Sequence, residues 1–197
     1  MAEKHVYRFG AGVDGVDATE LAGATVDQSK WVVGGKGANL AEMARIGLPV
    51  PPGFSITCQT CVAYSTAGNV WPEGVLDEID AAREDLERRM GKRLGDAEDP
   101  LLVSVRSGAP FSMPGMMDTV LNLGLNDVSV RGIIEQTGNA RFGWDSYRRF
   151  IQMFSDVVMG VDGQLFEDAI NEKKEERGVR LDTELTAEDL EDLANTF

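Results

Sequence analysis

The chain has 197 residues, 43% hydrophobic and 26% charged, which is typical of a soluble globular protein with one or two compact units. Acidic residues outnumber basic ones 33 to 19, and the net charge of −14 argues against nucleic acid or an anionic membrane as a main partner. Residues 161–197 hold 12 acids and 4 bases. No apolar run reaches the roughly 18–20 residues of a membrane span, and no secretory signal is visible, so we expect a cytoplasmic protein.

Along the first half of the chain, the apolar pattern predicts short strands between helices. The predicted elements are a strand at 6–9, a loop at 10–23, a strand at 31–33 before a glycine turn, a helix that ends at Gly47, a strand at 53–57, helices at 58–67 and 72–90, and a strand at 101–105. No element is predicted for residues 109–124, which are rich in Gly, Pro and Met and follow no period.

The second half is predicted to be helical, with helices near 129–137, 140–159, 163–177 and 187–197. We therefore predict a mixed α+β fold, with a small mixed sheet in residues 1–125 and a helical subdomain in residues 126–197. The last helix begins at a capping box, Thr186 to Asp189, and reaches Phe197 without a residue that ends helices. We expect a chain truncated there, a piece of a longer protein.

Histidine and cysteine are scarce, which limits the chemistry. The single histidine, His5, excludes a His-based triad and a metal site with several histidines. Cys58 and Cys61 form a C-x-x-C motif at the start of a predicted apolar helix. Packing is favoured there over a redox role, and a zinc site would need a second pair of ligands.

A first glycine-rich loop, residues 34–37, carries Lys36 between an apolar run and a helix. Glycines let a backbone approach a phosphate, and a lysine at a helix start adds positive charge. The loop fits neither the P-loop nor the dinucleotide-binding pattern, because Lys36 is followed by Gly37 and the glycine spacing is wrong. Phosphate binding and a tight turn with a solvated lysine both stay open.

A second loop follows the strand at 101–105. Arg106 stands at the strand end, where a guanidinium can bind a phosphate with two parallel hydrogen bonds. The methionines of residues 112–117 suit either a mobile lid over a nucleotide or a plug in the core, and the residues alone do not decide. For Asp118 and Thr119, a helix N-cap is favoured over a magnesium ligand.

Five stretches resemble the pyruvate, phosphate dikinase family, and they span most of the chain: 34–43 (Gly-Gly-Lys-Gly-x-Asn-Leu-Ala-Glu-Met), 48–54, 99–109 (through Val-Arg-Ser-Gly-Ala), 112–126 (from Ser-Met-Pro-Gly-Met-Met-Asp-Thr) and 146–154. Phosphoenolpyruvate synthases share the Gly-Gly-Lys and Val-Arg-Ser elements but are less similar elsewhere. A synthase-like fragment and a non-catalytic interaction module that retains the fold are the alternatives.

The resemblance implies an ATP-grasp-like subdomain that binds ATP or AMP with Mg²⁺. The implied full-length enzyme interconverts ATP, phosphate and pyruvate with AMP, pyrophosphate and phosphoenolpyruvate. A phosphohistidine domain and a pyruvate-binding domain of the same chain take part, and the full-length chain is expected to be a homodimer.

The family's nucleotide contacts carry over to nine positions: Lys36, Arg106, Ser112, Met113, Gly115, Met116, Met117, Asp118 and Thr119. The resemblance puts the magnesium ligands beyond Phe197 and no catalytic residue in this chain. We therefore predict that the chain is inactive on its own.

Overall fold

The computed structural model describes residues 4–10, 20–21, 23–111 and 118–197, and these form helices and three two-stranded sheets. The predicted mixed α and β class is confirmed. The chain divides into two compact units. Unit 1 is Met1–Gly91 with Ser107–Met117, and unit 2 is Lys92–Arg106 with Asp118–Phe197.

In the residues that the structure describes, unit 1 contains one antiparallel sheet and three helices. Strand β1 (Val6–Phe9) pairs with β2 (Gly53–Ile56), so that Val6 lies opposite Ile56. The helices are α1 (Val26–Arg45), α2 (Cys58–Thr66) and α3 (Val75–Met90). The predicted strands at 6–9 and 53–57 and the predicted helices at 58–67 and 72–90 are confirmed, with small differences at their ends.

The strand predicted at 31–33 is wrong, because these residues belong to α1. The run Trp-Val-Val has a high strand propensity, but it follows a complete capping box in which Thr25 and Gln28 exchange hydrogen bonds. Small buried alanines further along α1 let the helix pack closely in unit 1. The helix predicted after the glycine turn is confirmed, and Gly47, with φ of 84°, follows its C-cap.

Unit 2 begins with two small sheets. Strand β3 (Arg93–Leu94) runs parallel to β4 (Pro100–Leu101), and β5 (Val103–Arg106) pairs antiparallel with β6 (Thr119–Leu123). Sequence analysis missed β6, because the preceding Gly, Pro and Met residues obscured its short alternation. The helix N-cap predicted at Asp118 or Thr119 is wrong, since Thr119 is the first residue of a strand.

The rest of unit 2 is helical, as predicted. Its helices are α4 (Ser129–Thr137), α5 (Ala140–Val157), α6 (Gly163–Arg177) and α7 (Ala187–Thr196). Side chains that are at most 2% exposed form the centre of its core: Val130, Ile170, Leu185, Leu190 and Leu193. The capping box at the start of α7 is confirmed. Because β3–β6 group with these helices, a division after residue 125 stays a prediction.

None of the helices in the described part of the chain has the length and apolar character needed to cross a membrane.

Candidate functional site

Helix α1 is broken at Gly34, and the break shapes the first predicted loop. Gly34 has φ of 74° and ψ of 169°, a conformation that is open almost only to glycine. A Cβ atom added at Gly34 would lie 3.1 Å from the carbonyl carbon of Gly108 and 3.2 Å from the nitrogen of Ala109. The glycine therefore serves two purposes: it turns the chain, and it lets two backbone segments approach each other.

The break brings the first predicted loop against residues 107–110 of the second. The Gly35 N–H donates to the Ala109 carbonyl at 2.8 Å, and the Lys36 ammonium donates to the Ser107 carbonyl at 2.9 Å. All of these residues belong to unit 1. Lys36 thus has a fixed position beside a restarted helix, where backbone N–H groups and a positive charge together favour an anion.

An aromatic pair lies next to this contact. Trp31, in the last turn before the break, packs edge-on against Phe111, with ring centroids 5.3 Å apart. Both rings are largely exposed. Sequence analysis named neither residue nor the Ser107 carbonyl as part of a site, since they are far apart in the sequence and no spacing rule connects them.

The remaining predicted site residues belong to the second loop. Arg106 is the exposed last residue of β5, and it lies opposite Thr119, the first residue of β6. Asp118 is exposed and directly precedes β6. Unit 2 therefore brings Arg106 together with Thr119. The other five predicted contacts lie outside the described residues: Ser112, Met113, Gly115, Met116 and Met117.

His5 is a buried residue that packs against the start of α2. It is 8% exposed, and its Nδ1 lies 2.9 Å from the hydroxyl of Thr60, which in turn lies 2.8 Å from the hydroxyl of Thr57. The ring therefore belongs to a buried chain of polar groups at the start of α2.

The two cysteines differ in exposure. Cys58 is half-buried, but Cys61 is exposed, which does not fit the packing role favoured from the sequence. Among the residues that the structure describes, no group of three or more His, Cys, Asp or Glu side chains could hold a metal ion.

Comparisons with known proteins connect this site to a family. A family described as "Pyruvate phosphate dikinase, AMP/ATP-binding domain" matches residues 30–73, a range that includes the break in α1. A pyruvate, phosphate dikinase from Giardia intestinalis is 50% identical over 197 residues, 100% of this chain and 22% of that protein. One from Clostridium symbiosum is 57% identical over 166 residues, 84% of this chain and 19% of that protein.

The chain belongs to the pyruvate, phosphate dikinase family. A chloroplastic pyruvate, phosphate dikinase from Flaveria trinervia is also similar, at 48% identity over 196 residues and 20% of its length. The chain thus spans about a fifth of the length of these dikinases. The resemblance described from the sequence motifs is confirmed.

Proposed function

We propose that this chain is the nucleotide-binding part of a pyruvate, phosphate dikinase and that residues 34–36 bind the phosphates of ATP. The observation that carries the proposal is the Lys36 ammonium, which donates a hydrogen bond to the Ser107 carbonyl at 2.9 Å beside the broken helix. A phosphate oxygen can take the place of that carbonyl. The match to a family described as an AMP/ATP-binding domain supports the same assignment.

The proposed reaction of the longer enzyme interconverts ATP, phosphate and pyruvate with AMP, pyrophosphate and phosphoenolpyruvate. Phosphoryl transfer needs charge neutralisation and alignment of the reactants more than covalent help. Lys36 would supply a point charge, and Arg106 a guanidinium that orients the phosphates. Residues 112–119, with Gly115 at their centre, would donate backbone N–H groups and close over the nucleotide.

Several parts of the proposed mechanism involve the rest of the enzyme. The resemblance to the dikinases supports the proposal that the Mg²⁺ ligands follow Phe197 in an ATP-grasp arrangement. The phosphohistidine domain, the pyruvate-binding domain and a homodimer interface are proposed for the longer chain. A cytoplasmic location stays a prediction, and some relatives are named chloroplastic.

Replacement of Lys36 by alanine should weaken MgATP binding to this chain by at least about tenfold, because one charge-assisted hydrogen bond to phosphate contributes about 1.5–3 kcal/mol. Titration calorimetry measures the affinity. Lys30→Ala is the matched control, since Lys30 lies in the same helix and pairs with Asp27 on the surface at 3.0 Å. Equal affinities in Lys36→Ala and the wild type would remove Lys36 from the site.

The isolated chain should not become labelled when it is incubated with ATP carrying a radioactive β- or γ-phosphate, because its single histidine is buried and bonded to Thr60. A chimera in which the matching 84% of this chain replaces the corresponding 166 residues of the Clostridium symbiosum dikinase should be labelled. Autoradiography after gel electrophoresis measures both. Stoichiometric label on the isolated chain, or an inactive but folded chimera, would contradict the proposed function.

A further inference from the structure

The C-x-x-C motif lies in the first turn of α2. Thr57 is the N-cap and accepts a hydrogen bond from the Thr60 N–H, so Cys58 is the first helical residue and Cys61 stands three residues later. Helix geometry separates Cα atoms three residues apart by roughly 5 Å, within the range of about 4.4–6.8 Å that a disulfide spans. The two thiols can therefore be joined with only local adjustment of the backbone.

The same turn contacts the break in α1. The backbone N–H of Gly34 lies close enough to the Cys58 sulfur to lower the pKa of its thiol, and the Gln59 side-chain amide donates to the Trp31 carbonyl at 3.4 Å. These contacts join the start of α2 to Trp31 before the break and to Gly34 at the break itself. A change at the Cys58 sulfur is thus transmitted directly to the backbone that positions Lys36.

The two thiols are unequal in a way that suits stepwise oxidation. Burial raises the pKa of the Cys58 thiol above its ordinary value, and the neighbouring Cys61 raises it further, which outweighs the opposing effect of the Gly34 N–H. Cys58 is therefore kept mainly as a thiol at neutral pH. Cys61 is exposed and is the cysteine that an oxidant in solution meets first.

We propose that Cys58 and Cys61 form a reversible disulfide by exchange with a low-molecular-weight disulfide, and that this disulfide lowers the nucleotide affinity of residues 34–36. The inference rests on the proposed function, because it takes the nucleotide site to be at those residues. We expect the bond to Cys61 to draw the Cys58 sulfur away from the Gly34 N–H, so that this N–H loses the sulfur as its acceptor.

The exchange proceeds in two steps. The Cys61 thiolate attacks one sulfur of the external disulfide and releases its other half as a thiolate, which gives a mixed disulfide. The Cys58 thiol then loses its proton to solvent and attacks the Cys61 sulfur, which expels the second half. Two protein thiols have lost two electrons and two protons, and the external disulfide has become two thiols.

The experiment treats the chain with oxidised glutathione and measures MgATP affinity by calorimetry before and after. Mass spectrometry should find the loss of two hydrogens from the wild type without retained glutathione. The affinity should fall about fivefold, the value of one net hydrogen bond of about 1 kcal/mol, and return with dithiothreitol. Cys61→Ser, which cannot form the internal disulfide, should keep its affinity after the same treatment followed by removal of oxidant.

Amide hydrogen exchange of Gly34, followed by NMR, gives a readout that needs no nucleotide. Exchange should become faster on oxidation of the wild type and stay unchanged in Cys61→Ser. If the reduced wild type does not bind MgATP, the proposed function fails. Faster amide exchange at Gly34 on oxidation would then still support a disulfide switch at the start of α2. If no internal disulfide forms, or if it forms with affinity and exchange both unchanged, the switch is refuted.

Discussion

Replacement of Gly34 by alanine should lower the affinity of the chain for MgATP about thirtyfold and decrease the free energy of unfolding by about 2 kcal/mol. The φ of 74° and ψ of 169° at Gly34 cost other residues about 1–3 kcal/mol. The added methyl group also meets the backbone of Gly108 and Ala109 at 3.1–3.2 Å, where neither side can yield without moving residues 107–110.

Two responses are open to the alanine variant: the first lowers its stability, and the second weakens binding. The backbone can keep its conformation and retain the strain, so that the folded state loses stability. Alternatively, residue 34 can turn toward helical angles and join the two halves of α1, which moves Lys36 away from the Ser107 carbonyl. In the second response the bound nucleotide must restore the break at a cost of about 2 kcal/mol, which lowers the affinity roughly thirtyfold, since each 1.4 kcal/mol is tenfold.

Gly35→Ala is the matched control, because it adds the same methyl group one residue later. Its Cβ atom would lie 3.6 Å from the Ala109 carbonyl oxygen, an ordinary contact, and the φ of Gly35 is not positive. Because Gly35 belongs to the proposed phosphate-binding residues 34–36, it is a control for stability and not for affinity. We expect this variant to be as stable as the wild type, since alanine favours a helix more than glycine does. Urea denaturation measures the stability of both variants, and calorimetry measures the affinity of Gly34→Ala. A Gly34→Ala chain that is as stable as Gly35→Ala and binds MgATP as the wild type does would contradict the role of the break.

The break in α1 also explains where sequence reasoning succeeded and where it failed. The glycine-rich turn and Lys36 could be recognised in the sequence, because glycine favours a turn and lysine carries a positive charge in any fold. The strand predicted at 31–33 failed because the propensity of Trp-Val-Val was weaker than the capping box at Thr25 and the packing of the helix. The contact of Lys36 with Ser107 could not be predicted, since it joins residues 71 positions apart.

Strand β6 shows a second limit. Its five residues alternate only partly, and Asn122 has φ of 59°, which interrupts the extended backbone. The register between β5 and β6 shifts between Val103 and Val105, so the pairing is irregular. A short strand of this kind is stabilised by pairing with its partner and not by its own sequence pattern. The partner strand β5 ends at Arg106, and the Met-rich residues 112–117 separate the two strands in the sequence. The helices of unit 2 were predicted because their apolar residues recur at helical spacing along continuous stretches of the sequence.

The acidic C-terminal helices bear on the alternative of an interaction module. Several of their carboxylates have partners within unit 2: Lys173 lies 3.1 Å from Glu176, Lys174 lies 3.0 Å from Asp182, and Arg177 lies 2.6 Å from Asp189. Part of the negative charge is therefore neutralised inside the unit. This favours a stabilised, solvated face over a docking surface for a basic partner.

Replacement of Asp189 by alanine should lower the free energy of unfolding by about 2–4 kcal/mol at pH 7. The side chain is 1% exposed, and its carboxylate accepts hydrogen bonds from the Arg177 Nε at 2.6 Å and from the N–H and hydroxyl of Thr186 at 3.0 and 3.1 Å. Alanine leaves the Thr186 groups without their acceptor and removes half of the capping box. Arg177 is half exposed and can turn to water, which limits the loss.

Asp192→Ala is the matched control, in the same helix and also acidic. Its carboxylate is mostly exposed and lies 3.6 Å from the Lys173 ammonium, so its removal should cost no more than about 1 kcal/mol. Urea denaturation followed by circular dichroism measures both variants. An equal decrease in the free energy of unfolding in the two variants would show that the buried contacts of Asp189 do not stabilise the start of α7.

The effect of Asp189 should also depend on pH in a definite direction. Burial raises the pKa of this carboxyl, but the Thr186 N–H, the Arg177 guanidinium and the Thr186 hydroxyl together lower it below its ordinary value. A carboxyl with a lowered folded pKa contributes stability above its unfolded pKa of about 3.9, and this contribution is lost as the pH falls through the folded value. The difference in unfolding free energy between the wild type and Asp189→Ala should therefore be constant from pH 7 to about pH 5 and narrow below pH 4. A difference that widens as the pH falls would reverse the sign and refute the stabilising role of the ionised carboxylate.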